Sequence, residues 1–219
     1  MGLSPLWAQH AGLVRGLDLI EAGTARTLEL LAATLEARRP RRLDAAPPLL
    51  RAGVLIPIFH SGNAPEVLFT RRTDTVLTHK GQISFPGGQR EPTDASMVET
   101  ALRESYEEIG LDPARVVVLG ELDDVFTSVS GFVVTPVIGV VRDGLQDLVP
   151  APAEVRSVFT VPVDQLRDER VHTTQTREVD GQRYRIHYYT VGDDVIWGAT
   201  GYIVHQFLGA WDHAVLGKS

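Results

Sequence analysis

Cysteine is missing from the chain altogether, which excludes disulfides, thiolate zinc sites and a cysteine nucleophile. Positive charge is also short: 21 Lys and Arg stand against 28 Asp and Glu, a net charge of −7. Such a balance gives no general attraction for a polyanion, so duplex nucleic acid and anionic membrane surfaces are not expected partners. An anionic substrate would need metal and local arginines to receive it. No stretch of 18 apolar residues occurs, and residues 1–20 have no basic segment leading into an unbroken apolar run, so the expectation is a cytoplasmic protein without a membrane span. Gly2 and the terminal Gly217-Lys218-Ser219 are superficial matches to a myristoylation signal and a phosphate-binding loop. Leu6 stands where the first needs Ser or Thr, and Asp212 where the second needs glycine.

What is present is enough for one catalytic domain with an appendage: 219 residues, 43% of them hydrophobic. Leucines at 28, 30, 31 and 35 make an approximate helical stripe, ended by the basic stretch Arg38–Arg42 around Pro40. That stretch reads as a solvated turn, or as an arm contacting a phosphate or a partner. Residues 1–50 are therefore taken as a helical extension and linker, and residues 51–219 as the catalytic domain. After Pro47-Pro48 the pattern turns to strands, Ala52–His60 and Glu66–Arg71, joined as a hairpin across Ser61-Gly62-Asn63. A helix follows over about 94–109, then strands near 116–121, 133–141, 157–161 and 184–191, with Asp143-Gly144 and Asp180-Gly181 as hairpin turns. A short helix near 163–167 and a C-terminal helix near 202–214 complete the pattern. Without regular βαβ alternation this is an α+β, mixed-sheet sandwich and not a doubly wound fold.

The chemistry is concentrated in Gly87-Gly88-Gln89-Arg90-Glu91-Pro92-Thr93-Asp94 and the helix behind it, whose centre reads Arg103-Glu104-Ser105-Tyr106-Glu107-Glu108-Ile109-Gly110-Leu111. Asp94 or Ser96 can cap the helix, Ser96 and Glu99 have capping-box spacing, and Gly110 suits a left-handed C′ position. Leu102, Tyr106 and Ile109 are expected to face the core. Glu104, Glu107 and Glu108 stand at i, i+3 and i+4, on one face. Like charges at those spacings cost a helix a few tenths of a kcal/mol per pair, roughly, so folding alone does not explain them. A hard divalent cation does, because carboxylate oxygens suit Mg²⁺ or Mn²⁺ and such an ion can bridge two phosphates. Arg103 lies four residues before Glu107 and can orient it, and the two glycines let backbone approach a phosphate or metal closely.

This array resembles the Nudix box, G-x5-E-x7-R-E-U-x-E-E-x-G-U, matching at Arg103, Glu104, Glu107, Glu108, Gly110 and Leu111. It departs from the box where Arg103 follows Gly88 by 15 positions and not 14, with Asp94 in place of the first Glu, and where Ser105 replaces an aliphatic residue. The upstream run Leu68-Phe69-Thr70-Arg71-Arg72 and Leu77–Gly88 resembles the coenzyme A pyrophosphatase branch, which has the same longer loop. The resemblance covers about Val54 to Leu208. Leu77 stands where that branch has an Arg, and Thr73 where it has a Ser.

The resemblance implies a Nudix α/β/α sandwich and hydrolysis of a pyrophosphate bond in a nucleoside-diphosphate-linked substrate. Coenzyme A would give 4′-phosphopantetheine and adenosine 3′,5′-bisphosphate. NADH, ADP-ribose, nucleotide sugars and nucleoside triphosphates are the alternatives, and a nucleotide-binding regulator that kept only the fold is a further one. Metal would be held by the Gly88 carbonyl with Glu104, Glu107 and Glu108, with Arg103 orienting the glutamates. Glu107 or Glu154 would take the proton from water. Arg72, Gln82 and His79 are the candidates for substrate contact, and a homodimer is compatible with the sequence. Asp123 and Asp124 read as exposed turn residues with a structural role, and Trp197 as core or a pocket wall. His172, His187 and His205 show no metal spacing and read as packing or surface residues.

Overall fold

The structure is a computed structural model and describes residues 22–61, 64–73, 82–128, 130–179 and 181–217. In chain order the elements are α1 (Ala22–Ala37), β1 (Leu50–Ser61), β2 (Ala64–Arg72), β3 (Ile83–Ser84), β4 (Gly87–Gln89), α2 (Met97–Ile109) and β5 (Val116–Glu121). They continue with β6 (Val125–Thr127), β7 (Phe132–Val141), β8 (Val155–Pro162), α3 (Val163–Leu166), β9 (His172–Val179), β10 (Gln182–Val191), β11 (Asp194–Ile196) and α4 (Gly198–Leu216). No described helix is long and apolar enough to cross a membrane.

The main sheet runs β3-β2-β1-β7-β5, with β4 paired to β1, β6 to β7 and β8 to β2. Among the described residues only β1 and β7 are parallel; the other pairs in this sheet are antiparallel. A second antiparallel sheet holds β9, β10 and β11. Side chains alternate across a strand, and β1 shows it: Leu55 and Phe59 join Leu68, Ala101, Ile109 and Val137 in one cluster. Ile56 and Ile58 face the other way, with Leu28, Leu31 and Leu35 of α1 and Ile203, Phe207 and Trp211 of α4. The sheet therefore lies between α2 and the α1–α4 pair, the three-layer mixed arrangement expected. Each fully buried leucine or phenylalanine contributes roughly 1.5–3 kcal/mol.

Three expectations are corrected. The basic stretch is exposed at Arg39 and Arg41, as a solvated turn would be, but Arg38 and Arg42 anchor it to the fold. Arg38 pairs with Asp123 at 2.6 Å, Arg42 pairs with Glu121 and with Asp124 at 3.1 Å, and Arg51 lies 3.4 Å from Asp124. Asp124, read as exposed, is 1% accessible; it also accepts from Leu43 N at 3.0 Å and Thr135 Oγ1 at 2.8 Å. The linker must cross the β5–β6 turn to reach β1, and the turn's acids satisfy it. On α2, Ile109 is buried but Tyr106 is 58% exposed. The helix is seated along Ala101, Ser105, Glu108 and Ile109, a rotation that turns the carboxylate stripe toward β4 and Tyr106 into solvent. Ser105 is tolerated there because its hydroxyl donates to Ala101 O at 2.6 Å. Asp143-Gly144 is a left-handed turn but closes no hairpin: β7 is already flanked by β1, β5 and β6, so the chain goes on to pair β8 with β2. Gly181, by contrast, sits in the tight β9–β10 hairpin, where Val179 faces Gln182.

Candidate active site

Two segments build the site, β4 and α2. β4 lies antiparallel on β1 with Gly53 opposite Gly88. Leu55 N donates to Pro86 O and Arg90 N to Arg51 O, both at 2.9 Å. Hydrogen-bonded pairs alternate along an antiparallel ladder, so the peptide groups of Gly88 turn toward Gly53, and those of Gly87 and Gln89 face away from β1. There they meet α2: Gly87 N donates to Glu108 Oε2 at 3.1 Å, and Gln89 O accepts from Arg103 Nη2 at 2.9 Å. A Cβ on Gly88 would fall 2.4 Å from a Glu104 carboxylate oxygen, so only glycine lets that carboxylate lie on the strand.

The helix ends follow the sequence signals. Ser96 Oγ accepts from Glu99 N at 3.1 Å, the Glu99 carboxylate reaches back to Ala95 N at 2.7 Å, and Gly110 closes the other end at φ 68°. Beyond Gly110, Val149 N and Ala151 N donate to Ile109 O and Glu108 O at 3.0 and 2.8 Å. This loop satisfies the last carbonyls of α2, and it also carries Glu154 close enough that its charge acts on Glu104 and Glu108.

Asp94 is the residue whose role the sequence concealed. It is buried, accepts Arg103 Nε on Oδ1 and Arg103 Nη2 on Oδ2, both at 3.1 Å, and takes Glu91 N and Thr100 Oγ1 at 2.9 Å each. The guanidinium of Arg103 holds Asp94 down to about 2. Arg103 spends its remaining donors on Glu104 at 2.9 Å and Glu107 at 3.2 Å. The arginine is thus locked by a two-pronged pair and fixes the glutamates in turn.

The three glutamates are not equivalent. Glu108 is 4% accessible, Glu104 is half-buried, and the Glu107 side chain is 55% exposed. Burial pushes Glu108 up to about 7, against the Gly87 N–H and Arg72, which is 3.6 Å away, while Glu154 and Glu104 add to the rise. Burial raises Glu104 as well, with Glu107 and Glu154 adding to it and Arg103 opposing it. Two carboxylates driven toward their neutral forms, beside a glycine strand with no room for a Cβ, suit a hard divalent cation. Such an ion reverses the penalty by favouring the charged form.

A pH dependence follows. Glu108 has a folded value near 7 above its ordinary 4.5, so its protonated form is the one the metal-free fold favours. Its contribution is fully present below about pH 4.5 and is lost as pH rises toward 7, by up to about 3 kcal/mol. Chemical denaturation in EDTA should show this decline between pH 5 and 7, and Glu108→Gln should flatten it. An unchanged slope in that variant would contradict the assignment.

The NUDIX domain pattern matches residues 49–182. The chain belongs to the Nudix family. It is a Nudix hydrolase, of a family that acts on pyrophosphate bonds and generally uses divalent metal ions. The "Uncharacterized Nudix hydrolase NudL" of Photorhabdus laumondii is 39% identical over 155 residues, 71% of this chain and 81% of that one. "Nudix hydrolase 15, mitochondrial" of Arabidopsis thaliana is 39% identical over 160 residues, 70% of this chain and 56% of the relative. A MutT/nudix family protein from Enterococcus faecalis shares the fold, with a TM-score of 0.50 at 18% identity over 78% of this chain and 65% of its own.

Within the Nudix site the structure brings together Arg72, Gly87, Gly88, Arg103, Glu104, Glu108 and Glu154. Glu107 stands at its outer side with Arg103. Gln82 adjoins it through its carbonyl, which accepts Arg72 N at 3.1 Å. His79 and Leu77 lie outside the described residues. Trp197, read as core or a pocket wall, is 41% exposed and stacks on Tyr188 with centroids 6.2 Å apart: it precedes α4, where the chain leaves β11 at the surface. Arg71 donates to Asp194 at 2.6 and 2.7 Å and lies over the Phe159 ring, tying β2 to β11.

Proposed function

We propose that the chain hydrolyses the pyrophosphate bond of coenzyme A, giving 4′-phosphopantetheine and adenosine 3′,5′-bisphosphate. The observation that carries a pyrophosphatase reading is the pair Glu104 and Glu108, driven toward neutrality by burial and by the charge of neighbouring glutamates, Glu154 among them, against the Gly87–Gly88 strand. In this reading Glu104 and Glu108 hold Mg²⁺ or Mn²⁺. The carbonyl ligand is given to Gly87 in place of Gly88, whose peptide groups belong to the ladder with β1. When bound, the cation supplies Lewis acidity and charge neutralisation at the pyrophosphate.

The protein's own groups do the rest. Glu107, expected as both ligand and base, is exposed and held by Arg103, and here it adds negative field while Arg103 keeps Glu104 in place. Glu154 is the base: it accepts a proton from water as the water oxygen bonds to phosphorus and the bridging P–O bond breaks. Arg72 receives phosphate oxygens, with Gln82 beside it; His79 is assigned to the same task from its place in the sequence. Residues 51–219 form the catalytic unit, and residues 1–50 an extension whose helix α1 braces α4.

The coenzyme A assignment rests on the likeness of Leu68–Phe85 to that branch and is tested by substrate. Coenzyme A should be cut faster than 3′-dephospho-coenzyme A, with products resolved by mass. Leu77→Arg should widen the preference, since an arginine–phosphate contact of roughly 1.5–3 kcal/mol corresponds to about ten- to a hundredfold. Equal rates on both compounds, or cleavage of ADP-ribose or NADH alone, would remove coenzyme A as the substrate and leave the family in place.

A further inference from the structure

Away from the Nudix carboxylates, the fold gathers three histidines that the sequence holds far apart. His172 lies on β9, His187 on β10 and His205 on α4. His172 is opposite Tyr189 and His187 opposite Thr174 in the β9–β10 ladder, so the two histidines sit in the same stretch of the hairpin. A ligating nitrogen from each of the three lies within 4.8 Å of the other two. His172 Nε2 and His187 Nδ1 are 2.9 Å apart with their rings nearly coplanar, at 2°. That approach requires one of the two nitrogens to be an unprotonated acceptor. His187 is buried and His205 exposed, so the cluster is anchored at its inner end and open to solvent at the outer one.

We infer that His172, His187 and His205 form a second metal site, taking a borderline divalent ion such as Zn²⁺ and clasping the β9–β10 hairpin to α4. Three imidazole nitrogens suit Zn²⁺, Cu²⁺ or Ni²⁺ and not Mg²⁺, which demands oxygen. Tetrahedral Zn²⁺ with Zn–N of about 2.1 Å sets its ligand nitrogens roughly 3.4 Å apart. To admit the ion the His172–His187 pair opens from 2.9 Å and both rings tilt, so that their lone pairs converge on the metal instead of facing each other. His205 now stacks on His187 at 4.0 Å between centroids; being exposed, it is free to turn its nitrogen inward. Water completes the fourth position. Arg185 on β10 is the nearby cation, and it is exposed, so solvent screens it.

The full chain is stripped with EDTA, and Zn²⁺ is titrated against a chromophoric chelator in millimolar Mg²⁺, which occupies the oxygen ligands of α2. The wild type should bind one equivalent of Zn²⁺, and Co²⁺ in its place should show the visible absorption of a four-coordinate ion. Loss of a direct ligand in His205→Gln, at an exposed position, should weaken binding by at least about a hundredfold, with Mg²⁺-dependent hydrolysis unchanged. Glu104→Gln should retain the Zn²⁺. His172→Gln provides the second variant and should behave as His205→Gln does. Equal Zn²⁺ affinity in the wild type and both histidine variants would overturn the site, as would Zn²⁺ uptake that disappears with Glu104→Gln.

Discussion

Glu104→Gln and Glu108→Gln should each lower turnover by about three orders of magnitude or more, roughly 4 kcal/mol of transition-state stabilisation. Both substitutions keep shape and remove one charge from the place where the cation is held. Neither should cost stability in metal-free protein at neutral pH, because burial already raises both carboxyls. For Glu108→Gln the fold should gain. Activity and melting temperature therefore move apart, which a purely structural role cannot produce. Glu107→Gln should do less than either, since Glu107 is exposed and its side chain pairs with Arg103. Steady-state rates alongside thermal midpoints would check this, and a Glu104→Gln enzyme at wild-type speed would remove that residue from the site.

The second large effect is on folding. Asp124 has no accessible side-chain surface beside Arg42 and Arg51, and it also satisfies Leu43 N and Thr135 Oγ1. Asp124→Ala takes one acceptor from each of two guanidinium groups and the acceptor of a backbone N–H and a buried hydroxyl, a loss of about 3–5 kcal/mol. Asp123→Ala, at a half-exposed pair with Arg38, should cost under about 1 kcal/mol. Denaturant midpoints of the two variants would show the contrast. Equal losses would mean that the β5–β6 turn does not hold the linker as described.

The sequence made the site's helix legible because its signals are local. Ser96, Glu99 and Gly110 mark the ends, and Arg103, Glu104, Glu107 and Glu108 mark the chemistry at fixed spacing. Strand periodicity likewise exposed β1, β2, β5, β7 and β8, the long members of the main sheet, and β10 of the second. The short strands β3, β4, β6 and β11 carry two or three residues each, too few for an alternating pattern, and β9 is polar enough to read as loop. The rotation of α2 was hidden for a different reason: Leu102, Tyr106 and Ile109 form an apolar stripe, but the helix is seated by what β4 requires. Asp94 looked like a cap or a substitute for glutamate, and its partnership with Arg103 depends on the turn after β4. The Arg38–Arg42 acceptors lie about 80 residues away in sequence, and His205 is joined to the other two histidines by the packing of α4 on β10. Such contacts have no local signature.

The most direct test of a cation held by Glu104 and Glu108 is hydrolysis of coenzyme A by the full chain as Mn²⁺ is returned to EDTA-treated enzyme, with bound Mn²⁺ followed by electron paramagnetic resonance. Turnover should be absent in excess EDTA and should rise in step with Mn²⁺ bound at a site that Glu104→Gln and Glu108→Gln both lose. Full turnover in excess EDTA, or Mn²⁺ bound equally by the wild type and both variants, would contradict the account.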